Sequence, residues 1–295
     1  MNLPSRILAA AAIAVAWAVP VQAKPIVVGG KNFTEQLLLT EITAQLLAKK
    51  GFEVEKRDGL GSQVLRDAQV NGQIDVYWEY TGTSLVTYNK VKERLSAKDT
   101  YDRVKALDAK VGVTWLKPSA ANNTYALAVR QENPKTDAIK TLSDLAAVFK
   151  GGKDKPVIAV NAEFPGRPDG LPGLQSAYGF KTSRANLKSM DSGLTYQALK
   201  DGQVDVALVF ATDGRIQGFK FRILTDDKGF FPDYAAAPVV RTEVLKTNPK
   251  LAGVLEALSA KLDDKVLQGL NAKIDVDKTS IRDVASGFLA ASGLI

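Results

Sequence analysis

Three stretches of this sequence occur twice, in the same order and at nearly one separation. PIVVGGKNF (Pro25–Phe33) matches PVIAVNAEF (Pro156–Phe164), and GFEV (Gly51–Val54) matches GFKT (Gly179–Thr182). NGQIDVYWEYTGT (Asn71–Thr83) matches DGQVDVALVFATDG (Asp201–Gly214). The offsets are 131, 128 and 130 residues. A single short match means nothing, but three in register predict two lobes built on one plan rather than a short-period solenoid.

Each copy reads strand, helix, strand, helix, strand. In the first, Ile26–Val28 is a short buried strand, and Asn32 with Glu35 three residues on reads as a capping box. The helix that follows carries Leu38, Ile42 and Leu46 on one face and stops at Gly51, behind Lys49 and Lys50. Alternating strands and helices predict an α/β fold with parallel sheets covered on both faces. Ligands of such sheets gather beyond the carboxyl ends of the strands. Tyr80 and Phe210 stand at that end of equivalent strands, as do the loops Gly29–Asn32 and Asn161–Phe164.

TYALAVR (Thr124–Arg130) and DYAAAPVVR (Asp233–Arg241) each set a tyrosine before an extended small-apolar segment ending in arginine. They read as two hinge-crossing strands. The first lobe is then residues 24–126 completed by 235–295, and the second is 127–234. Two lobes, a cleft and two crossings describe a clam-shell that captures small solutes by hinge closure.

The start of the chain is set apart from this plan. Arg6 precedes an uncharged apolar run of 13 residues, Ile7–Val19, and Val21 and Ala23 are the small residues of a cleavage site. Residues 1–23 are therefore expected to be a signal peptide, too short to span a bilayer comfortably. With no cysteine after Ala23 for a lipid anchor, a free periplasmic protein is expected. Removing Arg6 takes the net charge from +7 to +6, and the basic residues are scattered, which fits a solvated surface rather than nucleic-acid binding. The chain contains no histidine and no cysteine, so disulfides are excluded and no metal or cofactor is expected.

GGKNFTEQLLLTEI, DVYWEYTGT, NNTYALAV, EFPGRPDGLPGL and FATDGRI together resemble the osmoprotectant-binding proteins of ABC transporters. These are the glycine betaine, choline and carnitine binders of the ProX/OpuAC type, including the YehZ (OsmF) branch. The resemblance covers essentially the whole chain after residue 23 and implies a class II periplasmic binding protein fold. It also implies a monomer without catalytic chemistry that docks on an ABC permease driven by an ATPase. Carried over by motif, a quaternary ammonium would sit among Tyr80, Tyr125, Phe210 and Tyr234, with a carboxylate held by Lys31, Thr83 and Arg167. Phe210 departs from the tyrosine that such proteins commonly carry. The physics agrees: a trimethylammonium donates no hydrogen bonds, whereas desolvated ring faces attract it by about 2 kcal/mol each.

Every one of these residues has a plainer role open to it. Tyr80 shares a strand face with Val76 and Trp78, and Phe210 follows Val206 and Leu208, which are core patterns. Phe230 and Phe231 compete with Tyr234; Lys31 suits a glycine turn at the surface; Asp169 is a ready partner for Arg167; Thr83 suits a helix cap. The same shell also suits an amino acid or another small zwitterion. A pair drawn from Glu79, Glu163, Asp169 and Asp213 would suit an enzyme resembling a glycosidase.

Overall fold

The computed structural model describes residues 24–151 and 154–295, so the expected signal peptide lies outside the described residues. In chain order the strands are β1 (Ile26–Lys31), β2 (Val54–Leu60), β3 (Val76–Tyr80), β4 (Val113–Trp115), β5 (Tyr125–Arg130), β6 (Ile158–Asn161), β7 (Leu187–Met190), β8 (Val206–Phe210), β9 (Phe221–Ile223) and β10 (Ala236–Arg241). They make two five-stranded sheets ordered β2-β1-β3-β10-β4 and β7-β6-β8-β5-β9. Each place in one order has its counterpart in the other, so the duplicated sequence folds into duplicated sheets.

The sheets are mixed, where alternating strands and helices predict parallel ones. β1 runs parallel to β2 and β3, and β6 runs parallel to β7 and β8. β10 and β5 run against their neighbours. The reason is their origin. Each arrives from the opposite lobe at the cleft end of its sheet, where Ala236 pairs with Tyr80 and Tyr125 with Phe210, and runs back from there.

The repeated aspartate of QIDV and QVDV fastens both sheets in the same way. Asp75 Oδ2 accepts the Val27 N–H at 2.9 Å, and Asp205 Oδ2 accepts the Val157 N–H at 2.9 Å. Each carboxylate has a basic partner, Arg241 at 3.0 Å for Asp75 and Lys135 at 3.1 Å for Asp205.

The helix after β1 spans Thr34–Lys49 and ends where Gly51 takes a φ of +88°. Leu38, Ile42 and Leu46 are fully buried, each contributing about 1.5–3 kcal/mol. The capping box fails. Phe33 occupies the N-cap with no side-chain hydrogen bond, and Glu35 turns into the protein. The C-terminal helices Asp264–Asp275 and Ile281–Ala291 cover the same helix. Among the described residues no helix is long and apolar enough to cross a membrane.

The chain passes between the sheets just before β5 and just before β10. The two passages lie side by side: Asn122 bridges Ala235, the Asn123 N–H donates to Tyr234 O at 3.2 Å, and the Tyr234 N–H donates to Asn122 Oδ1 at 2.9 Å. Tyr125 and Ala126 already belong to β5 in the second sheet, so the boundary read at residue 126 falls two residues inside that strand.

Candidate functional site

The carboxyl ends of β1, β3, β6 and β8 face one another across the gap between the sheets. There the protein encloses a cavity of about 50 Å³, several times the space one water molecule needs. Lys31, Tyr80, Thr83, Tyr125, Arg167, Phe210 and Tyr234 all line it.

Rings cross the cavity wall in an unbroken run. Tyr80 ends β3, and its ring lies 6.2 Å from Phe33, which stacks on Phe210 at 4.8 Å. Phe210 ends β8 and lies 5.3 Å from Tyr125 at the start of β5; Tyr125 meets Tyr234 edge-on at 5.6 Å. Neither Phe230 nor Phe231 lines the cavity. Trp78, on the same strand face as Tyr80, belongs to the core, donating through Nε1 to Thr43 Oγ1 at 2.9 Å. The phenols stay neutral: burial pushes Tyr125 up to about 12. Tyr80 and Tyr234 are raised by burial first, then by the carboxylates of Glu35 and Asp169.

The two basic side chains of the wall are already matched. Lys31 Nζ donates to Glu79 Oε1 at 2.5 Å, with both side chains almost wholly buried, and lies 5.1 Å from the Tyr80 ring centre. Glu79 is itself held by the phenols of Tyr77 and Tyr88, each at 3.0 Å, and by the Tyr80 N–H at 2.7 Å. Its part is to fix Lys31. Arg167 donates through Nε and Nη2 to Asp169 at 2.9 and 2.6 Å, and through Nη2 to Thr83 Oγ1 at 3.1 Å in the other lobe. Its guanidinium lies 5.3 Å from the Tyr125 ring centre, and Tyr234 Oη donates to Asp169 Oδ2 at 2.7 Å. Arg167 thus has the partner that its neighbour Asp169 offered, while still facing the cavity.

Thr83 opens a wide π-type turn, Thr83–Tyr88, of a kind that often marks functional positions. The turn carries Tyr88 back to Glu79. Gly82 lets the second passage settle onto this turn, because a Cβ there would lie 2.7 Å from Asp233 O and 2.8 Å from the Tyr234 ring.

Sequence reasoning missed the wall residues Phe33, Ser62, Asn123, Asp191 and Ser192, and placed Asn32 and Asn161 at the ligand end only as parts of their loops. Phe33 was visible as the closing residue of a repeated motif, but its twin Phe164 is fully buried, and nothing local distinguishes the two. Glu163 crosses the cleft mouth and accepts the Ser62 N–H at 2.8 Å, at the start of the helix Ser62–Val70. Burial opposes its charge. The Ser62 N–H, the Lys31 ammonium and Arg167 outweigh that and hold Glu163 below its usual range.

A family model described as "Substrate binding domain of ABC-type glycine betaine transport system" matches residues 24–291. A protein of Pseudomonas aeruginosa named "Glycine-betaine-binding protein" is 44% identical over 279 residues, covering 93% of this chain and 90% of that one. The solved structure of apo YehZ from Escherichia coli, 36% identical, superposes with a TM-score of 0.66 over 92% of this chain and 100% of that one. The crystal structure of a "glycine betaine/carnitine/choline ABC transporter", 28% identical, superposes with a TM-score of 0.72 over 91% of this chain and 99% of that one. The two sheets, the cleft between them and these likenesses agree: the chain belongs to the family of substrate-binding domains of ABC-type glycine betaine transport systems.

Proposed function

We propose that this protein is the periplasmic receptor of an ABC importer and closes over a quaternary ammonium osmoprotectant such as glycine betaine or choline. The observation that carries the reading is the run of rings from Tyr80 through Phe33, Phe210 and Tyr125 to Tyr234 around one small cavity. Three or four desolvated cation–π contacts give roughly 5–8 kcal/mol gross. Micromolar affinity needs about 8 kcal/mol net. The rest falls to Thr83, to the Arg167 and Lys31 donors that Asp169 and Glu79 leave free, and to a closure that costs little.

In this reading residues 24–124 with 235–295 form one moving body and 125–234 the other, bending at the paired passages. The receptor works as a monomer with no catalytic step and presents its filled form to the permease. The chain leaves the cytoplasm on residues 1–23, so the exported form should begin at Lys24. An amino acid is the weaker cargo, because a primary ammonium seeks a buried free carboxylate: of the two carboxylates in the cavity wall, Glu163 is engaged with Ser62 and Asp191 is exposed.

Calorimetry of residues 24–295 against glycine betaine, choline and a primary amino acid tests the reading. Heat from a quaternary ammonium at micromolar concentration is expected. Heat from the amino acid alone would overturn it. Sedimentation should show one monomeric species, filled or empty.

A further inference from the structure

Behind Tyr80 lies a carboxylate that the reading above does not use. Glu35, second residue of the helix Thr34–Lys49, is 3% exposed and gathers four neutral donors from four parts of the chain. Tyr80 Oη and Asn123 Nδ2 each donate at 2.8 Å, Asn271 Nδ2 donates at 3.2 Å, and Thr212 Oγ1 donates to the second oxygen.

Among the described residues no basic side chain pairs with it. The charged groups facing it across a small cavity behind Phe33 and Phe210 are Asp213 and Arg215. Arg215 binds Asp213 through two nitrogens at 2.9 and 2.6 Å and lies 3.3 Å from Asp275 at the end of the helix Asp264–Asp275, so this trio is itself net negative. Lys31, beside the Tyr80 ring, belongs to Glu79. Among the described residues Glu35 makes no salt bridge. Burial raises its proton affinity, and the four hydrogen bonds pull the other way without prevailing. A buried carboxylate without a cation is costly to keep.

We propose that Glu35 is a specificity-determining residue: acting through Tyr80, it is the buried countercharge that the ligand's permanent cation completes. The proposal rests on the reading of the site as a quaternary ammonium cage. Tyr80 donates its phenolic proton toward Glu35, which leaves the ring richer in electrons for a cation on its face. The cation and a proton on Glu35 therefore oppose each other. Binding favours the ionised carboxylate, so a protonated Glu35 loses its proton when the ligand enters. The sign follows: affinity is greatest at pH values above the proton affinity of Glu35 in the empty protein, and weakens as the pH falls through it.

The test titrates residues 24–295, wild type and Glu35→Gln, with choline and glycine betaine. Each is set beside its carbon isostere, in which a quaternary carbon replaces the nitrogen. Calorimetry in buffers of different ionisation enthalpy counts the protons released, at neutral and at acidic pH. The wild type is expected to prefer the cation to its isostere, to release protons, and to bind more weakly as the solution is acidified. Glu35→Gln is expected to lose roughly tenfold in affinity for the cation, with the isostere unaffected, no proton release and a flat pH profile. Thr212→Val keeps the charge but removes one donor, so it should shift the fall in affinity to higher pH, which keeps the proposal open to test if Glu35→Gln does not fold. A Glu35→Gln protein with the wild-type preference for cation over isostere, or wild-type binding without proton release, overturns the proposal. A wild type that binds neither quaternary ammonium overturns the cage reading and this proposal with it.

Discussion

Lys31-Asn32-Phe33 and Ala162-Glu163-Phe164 occupy matching places in the two lobes, each triplet leaving the carboxyl end of a strand at the edge of the cavity. Their side chains do different work. In the first lobe the cation of Lys31 stays buried on Glu79, and Phe33 stands in the cavity wall. In the second, Ala162 has no charge, Glu163 reaches across the cleft to Ser62, and Phe164 is sealed in the core beside Tyr125. The strand ends differ in the same way. Tyr80 is tied by its hydroxyl to Glu35, whereas Phe210 has no hydroxyl and is steadied through its backbone N–H, which donates to Tyr196 Oη at 2.8 Å. Duplication fixed where a side chain stands; the neighbours decided what it does.

The contrast can be broken most sharply at Lys31. Lys31→Met leaves Glu79 fully buried without its ion-pair partner, and should cost about 3–5 kcal/mol in urea unfolding. The matching change Ala162→Met, at a residue with no ion pair, should cost less than a third of that.

The two phenylalanines should separate stability from affinity. Phe164→Ala empties a fully buried place and is expected to cost about 3–5 kcal/mol of stability. Phe33→Ala, at a half-buried ring in the wall, should cost about 2 kcal/mol of ligand affinity, roughly thirtyfold, with a small change in the melting point. Tyr80→Ala is a poorer probe, because it also takes a donor from buried Glu35.

Glu163 tests the bond across the cleft mouth. Its value in the folded protein lies below the unfolded one, so its contribution is complete above the unfolded value and is lost as the pH falls through the folded value. Glu163→Gln should therefore speed ligand release a few-fold at neutral pH, by about 1 kcal/mol, and the difference from wild type should vanish in acid. Stopped-flow release across pH measures it.

The smallest effect is expected at Phe210→Tyr, which gives the second lobe the ring type of the first. A gain in affinity of up to about threefold is expected, since the two ring faces attract a cation about equally.

Much of this was legible in the chain. Repeated motifs announced two related sheets, and strand direction put Tyr80 and Phe210 at the cleft ends of β3 and β8. Asp169 was visible as a partner of Arg167 because it lies two residues away. Glu35 shows the limit. Its spacing from Asn32 imitates a helix cap, while its actual partners Asn123, Thr212 and Asn271 lie 88, 177 and 236 residues away. The pairing of Lys31 with Glu79 spans 48 residues and was equally hidden. The turning point before β5 was misplaced by two residues because small apolar residues continue through Tyr125–Val129 with no break to mark the entry into the sheet.

The side-by-side run of Asn122–Asn123 with Tyr234–Ala235 has a mechanical consequence. Two strips of backbone laced together make a strap that yields most readily across its thin direction and resists bending in its own plane. For the receptor proposed above, such a strap favours one swing of the halves over a sideways slide, and that swing is the one that brings Phe33 and Phe210 face to face.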